Sequence, residues 1–179
     1  MLNTYIIVEQ GDTILFIDKH AAHERMNFDR MKAEGYDPMS QTLLAPAVCR
    51  LSPEEHAALT ARLPLLEEFG FAVEDFGGGA LIVRRAPFDV DPGDIEATLT
   101  EIARKLLSTG SADPAAARDE LLHTMACKAA IKGGWRTSPQ ELERVARAVM
   151  SGQVRYCPHG RPVAIELTRG QLEKQFKRA

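Results

Sequence analysis

Asp18, His20 and Glu24 fall in one short segment, and Cys157 and His159 flank Pro158 far downstream. His20 and Glu24 are four residues apart. On a helix that spacing puts them on one face, roughly 6 Å apart along the axis. Asp18 ends the apolar run Thr13-Ile14-Leu15-Phe16-Ile17, which reads as a buried strand, and side chains at strand ends reach into clefts. The Cys-Pro-His-Gly order around Pro158 and Gly160 suggests a tight turn presenting thiol and imidazole together. A carboxylate, an imidazole and a thiol form a mixed donor set that suits zinc, whereas a hard oxygen cluster for magnesium is not evident. The pattern points to one metal site built from two distant stretches.

Taken singly, these residues have blander readings. Cys127, in Met125-Ala126-Cys127-Lys128, would ordinarily be a small core residue of a helix. His20 alone would be a capped or core histidine, and Glu24 a solvated charge. His23 points about 100° away from Glu24 around a helix, and Asp29 about 140° away, so neither need share its site. Cys49 reads as structural. His56 and His123 have no supporting ligands nearby in the sequence and read as surface or helix residues. No Gly-x-Ser-x-Gly elbow, phosphate loop of the Walker type or His-Glu-x-x-His motif occurs.

The elements that must position these groups are well punctuated. Residues 4–9 and 13–18 read as a hairpin around Gly11, followed by a helix from Lys19 to Glu34 that Gly35 and Pro38 stop. Residues 36–50 read as irregular. Ser52-Pro53-Glu54-Glu55 is a capping box opening a helix to Phe69. Residues 71–76 and 80–84 read as strands joined by Gly77-Gly78-Gly79. Asp91-Pro92 opens a helix ending near Gly110, and Asp113-Pro114 a long one ended by Gly133-Gly134. Ser138-Pro139-Gln140-Glu141 is a second capping box, for a helix to Met150. Residues 162–167 read as a strand, and Thr168 caps a short last helix. The expected fold is α+β, an α/β sandwich of two lobes. Residues 1–49 and 113–179 would form one lobe with the metal site, and residues 50–112 an inserted lobe.

The composition, 45% hydrophobic and 26% charged over 179 residues, is that of an ordinary globular chain. No run approaches the roughly 18 apolar residues of a membrane span, and three cysteines make no disulfide framework. Reduced thiols fit a cytoplasmic protein. A net charge of −3 is unlike a free-standing DNA binder, so any nucleic acid would have to be held locally or by another domain.

Four motifs in order resemble the C-terminal domain of the MutL family of DNA mismatch repair proteins, in its endonuclease-bearing bacterial form. Asp18-Lys19-His20-Ala21-Ala22-His23-Glu24-Arg25-Met26-Asn27-Phe28-Asp29 is similar to the family's nuclease motif. Ala126-Cys127-Lys128 is similar to its Ala-Cys-Arg element, Cys157-Pro158-His159-Gly160-Arg161-Pro162 matches its counterpart, and Phe176-Lys177-Arg178 resembles its Phe-x-Arg. Lys19 stands where the family has Gln, and Asp29 where it has Glu. The resemblance implies a homodimeric endonuclease that nicks duplex DNA with manganese, with Asp18, His20 and Glu24 catalytic. It implies zinc held by His20, Glu24, Cys127, Cys157 and His159, with Asp29, Arg161 and Arg178 in support. Gln41, Leu44 and Pro46 fit the family's sliding-clamp contact. The mismatch-recognition protein would be a partner through the full-length protein. The alternative is a non-catalytic dimerisation module whose zinc only stabilises the fold. A third reading, an unrelated zinc-binding regulatory domain, is remote against four ordered motifs.

Overall fold

The computed structural model describes residues 4–108, 113–133 and 138–178. It is α+β, with two three-stranded antiparallel sheets. Strands β1 (Tyr5–Gln10) and β2 (Thr13–Asp18) pair antiparallel around Gly11, whose φ of +60° is a left-handed value that glycine adopts without strain. Helix α1 (Lys19–Glu34) follows directly, with the bounds its sequence signals require, and Gly35 at φ +85° ends it.

Strand β3 (Ser40–Arg50) occupies most of the stretch expected to be irregular. It pairs with β5 (Ala80–Pro87), which also pairs with β4 (Ala72–Gly77). The β3 register shifts between Thr42 and Ala47, so the Leu43–Pro46 segment bulges from the ladder. Pro46, lacking an N–H, belongs in such an interruption.

The expected single helix from Ser52 to Phe69 is two, α2 (Pro53–Thr60) and α3 (Leu63–Glu68). Pro64 accounts for the break, because it has no N–H to donate to Thr60 and its ring would clash with that carbonyl, so it is tolerated only in the first turn of a helix. A short 3-10 turn (Pro92–Asp94) leads into α4 (Ile95–Ser108), and α5 spans Pro114–Gly133. The expected endpoints at Gly110 and Gly134 lie outside the described residues. Helix α6 (Pro139–Met150), strand β6 (Ala164–Thr168) and helix α7 (Arg169–Gln175) complete the chain. The Thr168 capping box forms in full, as does that at Ser52.

Two compact units result: residues 1–29 with 130–179, and residues 30–129. The cuts differ from 49/50 and 112/113. Pairing of β3 with β5 accounts for residues 40–50 of the first difference, because it commits them to the second unit. In the first unit the sheet runs β1-β2-β6. One of its faces packs Ile6, Val8, Leu15 and Ile17 against Val145, Ala148 and Val149 of α6, with Val154, Cys157 and Val163. Valines and alanine at i, i+3 and i+4 place that apolar stripe on one side of α6. The opposite face carries Tyr5, Ile7, Ile14, Phe16, Ile165 and Leu167. Phe16 is flanked by Ile7 and Ile165 across the ladder, and Ile165 is 62% exposed.

In the second unit Leu81 and Val83 of β5 are buried with Leu59 of α2, Phe69, Phe71, and Leu99 and Ile102 of α4. His56 Nε2 lies 3.0 Å from Asp75 Oδ1. The sequence divides its charge between the units. The first carries twelve lysines and arginines against nine acidic residues, and the second ten against sixteen. No helix among the described residues is long and apolar enough to cross a membrane.

Candidate metal centre

The site begins at the junction of β2 and α1. Asp18 Oδ1 accepts the N–H of His20 at 2.9 Å and of Ala21 at 3.0 Å. Asp18 is therefore the cap of α1, satisfying two of the N–H groups a helix start leaves unpaired. Its own N–H donates to Val163 O at 2.8 Å, tying the helix start to the segment entering β6.

One turn into α1, Glu24 is buried, with 5% exposure. A carboxylate at that depth needs compensating charge or a ligand. Cys157 and His159 supply the rest of the cluster. Donor atoms of Glu24, Cys157 and His159 all lie within 4.8 Å of one another. The loop that presents them is tightly held. Tyr156 bridges Pro162, Cys157 N–H donates to Arg161 O at 2.8 Å, and Gly160 N–H donates to Cys157 O at 2.9 Å. Gly160, at φ +80°, makes that turn available. Cys157 is buried and His159 exposed, so the cluster has an inner wall and an open side. Its oxygen, sulfur and nitrogen donors fit zinc.

Arg161 completes the electrostatics. A hydrogen bond to Cys157 and attraction to that group hold the guanidinium more firmly in its charged form, with smaller contributions from Glu24 and Asp18. An exposed arginine thus borders the cluster.

The other expected site residues are placed as follows. His20 is half-buried on α1, one turn before Glu24. Cys127 is half-buried on α5, within the unit of residues 30–129. Asp29 pairs with Arg25 along α1, Nε to Oδ2 at 2.9 Å. Arg178 is exposed and lies over the Phe176 ring, 5.9 Å from its centroid. Lys19 is buried at the start of α1. Gln41, Leu44 and Pro46 lie in β3 and its bulge. Gln41 Nε2 donates to Val90 O at 3.2 Å, and Leu44 is fully exposed beside a cavity of about 300 Å³ that Thr42, Leu43 and Pro92 also line.

His23 was passed over by spacing arguments. It is buried, and its Nε2–H donates to Glu141 Oε1 across 3.1 Å. Burial lowers its pKa, and Glu141 opposes that. Ser138 Oγ accepts the Glu141 N–H as its motif requires, while the Glu141 carboxylate is engaged by His23. The sequence signal was an acidic residue at a helix start, which reads equally well as a cap.

An α+β domain with a cluster of oxygen, sulfur and nitrogen donors and a largely apolar outer sheet face is the class this geometry defines. A family model described as the MutL C terminal dimerisation domain matches residues 1–137. The chain belongs to that family. It is 33% identical over 179 residues to the DNA mismatch repair protein MutL of Caldanaerobacter subterraneus subsp. tengcongensis, covering 99% of this chain and 30% of the relative. Identity to the same-named protein of Acidiphilium cryptum is 38% over 185 residues, covering 100% and 32%. For that of Methanothrix thermoacetophila it is 36% over 179 residues, covering 99% and 32%. The chain thus spans about three tenths of the length of these curated relatives.

Proposed function

We propose that this chain is the homodimerising, metal-dependent DNA-nicking endonuclease domain of a MutL-type mismatch repair protein. The observation carrying this reading is the convergence of Glu24, Cys157 and His159 within 4.8 Å, with Asp18 at the head of the same helix. His20 and Cys127 are proposed further ligands. Zinc is the proposed resident ion, and manganese the one that supports nicking. An ion at such donors polarises a phosphodiester oxygen and lowers the pKa of a water. The chain's own residues do the positioning. Asp18 sets the start of α1, Glu24 presents its carboxylate from the wall, and Arg161 offers an exposed cation to a DNA phosphate.

The apolar outer face of the β1-β2-β6 sheet is the proposed self-association surface, since Tyr5, Ile7 and Ile165 stand exposed on it. Exposed Leu44, with Gln41 and Pro46 near it in β3, is the proposed contact for a sliding clamp. Tethering by a clamp would compensate for weak intrinsic DNA binding. Mismatch repair, and contact with a mismatch-recognition protein through the rest of the molecule, complete the proposal, with action in the cytoplasm.

The test is nicking of supercoiled plasmid with manganese by wild type and Asp18→Asn, with and without the clamp. Asparagine also caps helices, so the variant leaves α1 intact while removing the charge. Wild-type nicking that disappears in Asp18→Asn is the expected result. Folded, metal-loaded wild type that never nicks would leave a zinc-stabilised dimerisation module as the function.

A further inference from the structure

We infer that His23 and Glu141 form a positioning pair that sets the roll of α1, and hence the aim of Glu24, for the metal site; this rests on the metal-site reading above. Both residues belong to the unit that contains Glu24, Cys157 and His159. His23 precedes Glu24 on α1, and Glu141 lies in the first turn of α6. The loop carrying Cys157 and His159 leaves the other end of α6 and is tied back to it, Val154 N–H to Ala148 O at 3.1 Å. The hydrogen bond at 3.1 Å therefore joins the helix that supplies one donor to the helix that seats the other two.

To the core cluster of this unit α1 gives two buried alanines, Ala21 and Ala22, with the partly buried Met26 packed against it. Alanine methyls and a flexible methionine resist rotation less than branched side chains would. Side-chain ends lie about 6 Å from a helix axis, so a roll of about 10° moves them by about 1 Å. Metal–ligand distances tolerate about 0.2 Å. A directional bond from a buried imidazole to a carboxylate supplies the missing constraint, and outer groups of this kind typically govern metal affinity by 10- to 100-fold.

The experiment is zinc affinity by competition with a chromophoric chelator, at one pH and well below the unfolding midpoint. Four proteins are compared: wild type, Glu141→Ala, Glu141→Gln and Ser138→Ala. Glu141→Ala should bind zinc about tenfold or more weakly. Glu141→Gln, whose amide oxygen still accepts from His23, should bind within about twofold of wild type. Ser138→Ala removes the α6 cap, a bond to the Glu141 backbone N–H, but leaves both side chains of the pair in place, so it should lower the unfolding midpoint and leave zinc affinity nearly unchanged. Wild-type affinity in folded Glu141→Ala would overturn the inference, as would an equal loss in Ser138→Ala, which would mark a helix-stability effect. Failure of wild type to bind zinc would overturn the metal-site reading itself, and the positioning role with it.

Discussion

Asp18 shows how one side chain can cap a helix and contribute a charge at once. One carboxylate oxygen caps α1, and the carboxylate adds a small attraction for Arg161. The two roles separate by substitution. Asp18→Ala should cost about 1 kcal/mol of stability through loss of the cap, and Asp18→Asn only a few tenths, as read from urea unfolding. Cys49 offers a second prediction. Burial, then Glu96, raises its thiol pKa from 9.0 to about 11. The unfolded chain then releases this proton first as pH rises. The Cys49 contribution to stability is full below pH 9, and about 2–3 kcal/mol is lost as pH climbs through 9 to 11. Denaturation curves at pH 8 and pH 11 should show that loss, and Cys49→Ala should lack this component of it.

Among elements, the legible ones were those announced by local chemistry. Helix α1 was readable at both ends, because Asp18 and Gly35 are the residues a helix start and stop require. The Ser52 and Thr168 boxes were readable for the same reason. Strand β3 was not, since it owes its conformation to pairing with β5, far along the chain, and its own sequence advertises only the bulge at Leu43–Pro46. The α2–α3 break was written in Pro64, but the periodic leucines around it masked the signal. In the candidate site, Glu24, Cys157 and His159 were legible by donor type, whereas His23–Glu141 was not, because nothing local predicts which side chain meets a helix-start carboxylate. The β1-β2-β6 sheet yields a prediction at this scale. Ile165→Arg places a cation on its outer face without disturbing the buried one. It should weaken self-association at least tenfold, about 1.4 kcal/mol, by sedimentation equilibrium, while secondary structure is retained.

At the scale of the whole molecule, the net charge of −3 conceals a division: the unit with the Glu24, Cys157 and His159 donors is net basic, and residues 30–129 are net acidic. A polyanion should therefore be held by the first unit, and DNA retention should fall steeply between 50 and 200 mM salt, roughly tenfold or more if a few phosphates are contacted. Arg161→Ala should flatten that dependence by about one phosphate's worth, measured as the slope of log affinity against log salt. The bulge in β3 has a consequence for solubility. Strand β3 is the outer member of its sheet and the longest strand described, a ready template for another chain to add to. With the ladder broken between Thr42 and Ala47 and Pro46 offering no N–H, an incoming strand finds no continuous row of partners. The irregularity that thrusts Leu44 into solvent thus also protects the molecule from edge-to-edge aggregation.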